Sequence, residues 1–208
     1  MKKVIKCVQE LRCDSIRDLV ERRKKEFKAL GRRSDDELFK ELCFCILTAN
    51  YTAEGGMRIQ NAVGDGFLTL SERQLALRLK KLGHRFPNTR AKYIVEARRH
   101  AAGLKKRISS FSSSADARAW LAREVKGLGM KEASHFLRNI GYDDVAIVDF
   151  HIIDFLVDYG VVVRPKTITP RRYVEIEDKL KTIGDGAGMN MAELDLYMWY
   201  CETGKILK

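Results

Sequence analysis

Three prolines, at positions 87, 165 and 170, are all that a chain of 208 residues contains. Proline removes an intrahelical hydrogen bond and clashes with the turn before it, so the stretches between these three positions are free to run as long helices. Helix-start signals fill them. Ser34-Asp35-Asp36-Glu37 before LFKELCFCILTA and Ser71-Glu72-Arg73-Gln74 before LALRLKKL have the form of capping boxes. Pro170 after Thr169 suits the first turn of a helix reaching roughly Ile183, and Asn190 with Glu193 opens a last helix to about Tyr200. Further helices are expected near 3–12, 15–29, 53–63, 89–106, 115–125, 131–140 and 149–159. The one strand-like run, GVVVRP at 160–165, is short enough to be merely extended, and SSFSSS at 109–114 reads as a loop. The expected fold class is all-α.

A hydrophobic content of 45% supports a sizeable core and excludes a disordered tail or a low-complexity protein. No stretch approaches the ~18 uncharged apolar residues of a membrane span. The start, MKKVIKCVQE, is basic but lacks the apolar region of a signal peptide. A cytoplasmic monomer with no membrane contact is the expectation. The cysteines at 7, 13, 43, 45 and 201 lack paired metal-ligand spacing, and Cys43 and Cys45 lie in an apolar helical run. Neither a metal, an iron–sulfur cluster nor another cofactor is expected.

The net charge of +11 is uneven. Residues 1–33 carry 12 bases and 5 acids, residues 34–77 carry 3 and 7, and residues 108–208 carry 13 and 15. Residues 78–107 hold 11 bases against the single acid Glu96. A solvated helix face is the ordinary reading of a charge run. Here pairing within the helix cannot neutralise the excess, and an anionic polymer such as nucleic acid fits better.

The chemistry concentrates between 115 and 160. A helix ends near Val125, KGLGM makes a tight turn, and a second helix starts near Lys131. Gly127 and Gly129 permit close approach, and the helix start beyond them offers amides to a phosphate, although an ordinary helix–helix turn has the same look. Ala133, Phe136, Leu137 and Ile140 form the core stripe of the second helix, which leaves Lys131, His135 and Arg138 on the other face. Alone, Lys131 reads as a solvated lysine, and His135 as solvent-facing. Asp149, eighteen residues after Lys131, precedes an amphipathic run, so it suits an N-cap with His151 in the first turn.

G127-L-G-M-K131 followed by V148-D149-F-H151 resembles the helix-hairpin-helix DNA glycosylase superfamily. ELCFCILTANYTAEGGMRIQ, LGHRF, KEASHFLRNIGYDDVAIVD and LDLYMWY…TGKILK are similar, more closely, to the archaeal-type 8-oxoguanine DNA glycosylase/AP lyases. The likeness runs from about residue 35 to Lys208. One departure is Phe150, where many relatives carry Arg or Thr.

The resemblance implies two helical subdomains flanking a cleft without an iron–sulfur cluster. One would hold 35–140, the other 1–34 plus 141–208, and Lys131 would face Asp149 across the cleft. It implies base-excision repair on double-stranded DNA containing 8-oxoguanine or abasic sites. Lys131 would attack the sugar C1′ of a flipped nucleotide, which requires a neutral amine, and Asp149 would stabilise the developing positive charge. Phe86 and Trp199 would stack on the base, although each alone reads as core. The terminal carboxylate of Lys208 would contact the base, Gly127, Gly129 and His151 would hold phosphate, and Asn50 would fill the gap in the duplex or simply cap its helix. Two alternatives stay open: a glycosylase for other oxidised or mispaired bases, and a non-catalytic DNA-binding module.

Overall fold

A computed structural model describes residues 1–12 and 16–208; Cys13 lies outside the described residues. In chain order the α-helices are α1 (Lys2–Arg12), α2 (Ile16–Gly31), α3 (Asp35–Thr48), α4 (Ala53–Val63), the single turn α5 (Gly66–Thr69) and α6 (Glu72–Lys81). α7 (Pro87–Ala97), α8 (Leu104–Ser109), α9 (Ser114–Glu124), α10 (Met130–Asn139), α11 (Phe150–Asp158), α12 (Pro170–Ala187) and α13 (Met191–Thr203) complete the set. Among the described residues there is no strand, and 160–165 is irregular. These helices form two compact units, Met1–Lys28 with Gly141–Lys208, and Ala29–Ile140.

The Ala29–Ile140 unit is built around α3. Leu38, Phe39, Leu42, Cys43, Phe44, Cys45, Ile46 and Leu47 are all buried, and from Glu41 to Thr48 the helix is enclosed on every side, as a central helix must be. Ser34 starts it by accepting the Glu37 N–H, and α4, α7, α8 and α10 pack around it. Its one deep carboxylate, Glu41, accepts from Asn139 at 2.6 Å and Gln60 at 3.0 Å. The expected capping box at Ser71 and Gln74 is complete in both directions.

In the other unit α1 lies on α12 and α13, and α11 packs on α13. Val4, Val8, Ile153, Leu156, Ile176 and Tyr197 fill its core. Glu193 is buried there and closed by Arg12 at 3.2 Å and Lys24 at 3.0 Å. Cys7 and Cys201 bring their sulfurs to 3.9 Å.

Two expected helices change length. The helix over 89–106 breaks into α7, a tighter 3-10 turn at Arg98–His100, and α8, because Gly103 adopts φ +76° and restarts the chain. The helix expected to end near Ile183 continues through two glycines to Ala187. Those glycines are packing surfaces, not breakers: a Cβ on Gly184 would lie 2.4 Å from Met191, and one on Gly186 would lie 2.7 Å from Ile5.

Candidate active site

The turn between α9 and α10 is built on Gly127, whose φ is +88° and whose Cβ, if present, would lie 2.6 Å from the Tyr93 ring. Both the conformation and the contact demand glycine. The Leu128 N–H donates to the Val125 carbonyl at 3.1 Å, and the Gly129 N–H donates to the Glu132 carboxylate at 3.1 Å. Those two amides are therefore engaged within the turn. Lys131 is the second residue of α10, with a side chain 28% exposed and its Nζ 4.0 Å from the Glu132 carboxylate.

The core stripe of α10 lies where its spacing places it, but its opposite face is not in solvent. His135 and Arg138 are both buried, which corrects the solvent-facing reading of His135. α10 is packed by α3 and α9 together. The His135 ring meets Phe44 edge-on at 5.6 Å, and Arg118 donates to Ser134 at 3.3 Å.

The same unit carries Asn50 and Phe86. Asn50 is exposed and, among the described residues, is the one non-glycine with positive φ, +59°. Asparagine tolerates that conformation better than most residues. The Ala49 carbonyl before it accepts from Arg90 at 2.5 Å, and the Leu47 carbonyl lies 3.0 Å from His84 Nε2. Phe86 is 38% exposed, not core, and its N–H donates to His84 Nδ1 at 3.0 Å. His84, Arg90 and Tyr51, whose ring lies 4.4 Å from that of His84, connect the two candidate residues. Tyr51 and His84 lie in blocks that carry the resemblance, but no sequence pattern gave any of the three a role.

In the other unit Asp149 is the N-cap of α11 and accepts the Ile152 N–H at 3.0 Å. The segment leading to it is fixed by polar bonds: Ala146 N–H to Glu177 at 2.8 Å, Tyr173 hydroxyl to the Ala146 carbonyl at 2.7 Å, and Val148 N–H to the Tyr173 oxygen at 3.1 Å. His151 is exposed, and its ring meets that of Trp199 edge-on at 4.7 Å. Trp199, in the last turns of α13, is half-buried, with its indole nitrogen enclosed. Phe150 is 51% exposed with the Arg164 guanidinium 6.0 Å from its ring. Beyond the αL cap Gly204, the chain is anchored by buried Ile206 and reaches Lys208, which is partly buried.

The basic stretch divides in two. Arg90 and Arg98 turn inward to cap backbone carbonyls, Arg98 holding those of Phe67 at 2.8 Å and Leu70 at 2.6 Å. Arg99, His100 and Arg107 instead join Arg123 around an open recess of about 410 Å³ beside Trp120, with Glu124 as its one acidic lining residue. Not every base in the run serves an anionic partner.

The α9–turn–α10 pair gives the chain the helix-hairpin-helix fold of DNA glycosylases. A protein of Methanocaldococcus jannaschii named 8-oxoguanine DNA glycosylase/AP lyase is 52% identical over 99% of both chains, and one of Korarchaeum cryptofilum with the same name is 53% identical over 97% of this chain and 96% of its own. The crystal structure of the M. jannaschii glycosylase/lyase in complex with a 15mer DNA containing 8-oxoguanine matches with a TM-score of 0.96, covering 99% of this chain and 100% of that one. The 8-oxoguanine DNA glycosylase of Thermotoga maritima matches at 0.93 and 40% identity, covering 100% and 99%. With the Ogg-HhH family of 8-oxoguanine DNA glycosylases matching residues 20–189, the chain belongs to that family.

Proposed function

We propose that the chain excises 8-oxoguanine from duplex DNA and then cuts the strand at the abasic site, acting as a monomer in the cytoplasm, with the nucleoid. No helix among the described residues is long and apolar enough to cross a membrane. The observation that carries the reading is Lys131 in the first turn of α10, directly after the Gly127–Gly129 turn, in a chain of this family.

The Lys131 amine attacks C1′ of the flipped nucleotide, the C1′–N9 bond breaks, and the base leaves with the bonding pair. The amine loses its proton, the C1′–O4′ bond then breaks with a proton passing to O4′, and the resulting Schiff base allows loss of the C2′ proton and elimination of the 3′ phosphate. Asp149 stabilises the positive charge that develops at C1′. Its bond to the Ile152 N–H holds the carboxylate in place before substrate arrives. Phe86 and Trp199 stack on the base, Lys208 contacts its edge, and Asn50 occupies the gap in the duplex. The turn at Gly127 and Gly129, together with His151, holds backbone phosphate. The Leu128 and Gly129 amides already have partners, so phosphate contact falls to the turn's other groups.

The test is product analysis on three duplexes carrying 8-oxoguanine, an oxidised pyrimidine or an abasic site. Release of 8-oxoguanine with a β-elimination end at both the lesion and the abasic site is the expected result. Cutting of the oxidised pyrimidine alone would favour a different lesion specificity, and tight binding with no cut strand would favour a non-catalytic module.

A further inference from the structure

We propose that His84 is a positioning residue: its neutral imidazole locks Phe86 to the Asn50 turn, so that base recognition depends on it more than the lyase step does. The inference rests on the reading of Phe86 as a base-stacking residue and deepens it.

The tautomer follows from groups that have no choice of role. Nδ1 lies 3.0 Å from the Phe86 backbone N–H, which can only donate, so Nδ1 carries no proton. Nε2 lies 3.0 Å from the Leu47 carbonyl, which can only accept, so Nε2 carries the hydrogen. A proton on Nδ1 would set two donors against each other. The ring is buried at 4% exposure, and the Tyr51 ring covers it at 4.4 Å. The Tyr51 hydroxyl donates to the Gly83 carbonyl at 3.1 Å, a second tie between the segment after α3 and the loop that carries Phe86.

At the α3 end, helix geometry leaves the last carbonyls without intrahelical partners. His84 takes that of Leu47, and Arg90 takes that of Ala49. Asn50 comes next, in a conformation its neighbours have to hold. One imidazole thus spans from the helix end before Asn50 to the backbone of Phe86. The charged and titratable groups facing it are the Arg90 guanidinium from α7 and the Tyr51 phenol from the loop after α3. The Leu47 carbonyl favours a proton on the ring, but burial and the Arg90 charge outweigh it and hold the pKa below the ordinary 6.5. As pH falls below that value, imidazolium forms and the Phe86 N–H loses its acceptor.

Both reactions use the same lysine, but an abasic site has no base to stack. The ratio of 8-oxoguanine excision to abasic-site cleavage therefore isolates the role of Phe86 from that of Lys131. Asparagine places an oxygen near Nδ1, whereas glutamine places its amide near Nε2. The experiment measures this ratio in single turnover from pH 8 to pH 5 for the parent, His84→Asn and His84→Gln, with thermal melting alongside.

We expect the parent ratio to fall in acid. His84→Asn keeps an acceptor for Phe86, so its ratio stays within about threefold of the parent at neutral pH and becomes flat in acid. His84→Gln loses the acceptor, and its ratio drops roughly tenfold, mainly through a higher half-saturating protein concentration and less through the maximal single-turnover rate. Equal ratios in the two variants, a parent ratio independent of pH, or an equal loss of both activities matched by a lower melting point would overturn the proposal. A parent that cuts abasic sites but never releases 8-oxoguanine gives a different signature, and overturns the base-excision reading on which the proposal stands.

Discussion

The starts of α10 and α11 carry the two residues assigned to the chemistry, and they are built differently. α10 opens on Gly129, whose N–H is closed by Glu132, and Lys131 stands further in with only a long 4.0 Å pairing to that carboxylate. α11 opens on Asp149 itself, whose carboxylate closes the helix through the Ile152 N–H. At the first start, fold and chemistry reside in separate side chains. At the second they share one group. Substitutions should therefore separate activity from stability at Lys131 and confound them at Asp149 unless a cap is kept.

The largest expected effect is that of Lys131→Gln. Loss of a nucleophile should lower base release on the order of a thousandfold or more, with melting temperature unchanged. An unfolded variant would break the comparison. Next comes Asp149→Asn, which keeps an N-cap of equal quality while removing the charge. Its single-turnover rate should fall roughly a hundredfold without loss of stability. Asp149→Ala should lose the same activity and, in addition, about 1 kcal/mol of stability in denaturant titration.

Gly127→Ala sharpens the contrast from the turn itself. The positive φ and the Tyr93 contact should together cost about 1–3 kcal/mol, read by denaturant titration, with weaker DNA binding. The smallest effect is on pH dependence. Burial holds the pKa values of His84 and His100 below 6.5. The unfolded chain then binds more protons than the folded one just below that value, so stability is complete above pH 6.5 and declines as pH falls through the window beneath it. Melting curves between pH 7.5 and 5 check this, and His84→Asn should flatten part of the slope.

What could be read from the chain beforehand follows the range of the interactions concerned. Ser34, Ser71, Thr169, Asp149 and Asn190 announce helix starts because a cap bonds an amide two or three residues away. The Gly-x-Gly turn and the lysine after it are likewise local. The inward turn of Arg90 and Arg98 was not legible, since their carbonyl partners lie 41, 31 and 28 residues away. Nor was the link through His84, which joins Leu47 to Phe86 across a loop. His135 reads as a surface residue on a helical wheel because the wheel knows nothing of α3 and α9, which close on α10 together. Phe86 goes the other way: its apolar character suggests core, but it is exposed and leaves aromatic surface available, whereas Trp199 is half-buried. The helix from Pro170 runs past the end expected near Ile183, where Gly184 and Gly186 pack on Met191 and Ile5, residues of other elements that no local pattern reveals.

The central claim is that Lys131 forms a covalent bond to the sugar. Borohydride added to a mixture of protein and 8-oxoguanine duplex reduces a Schiff base to a stable adduct that is visible on a denaturing gel. The account expects an adduct with the parent, slower accumulation of the same adduct with Asp149→Asn, and none with Lys131→Gln. No adduct with the parent, or an equal one with Lys131→Gln, would contradict it.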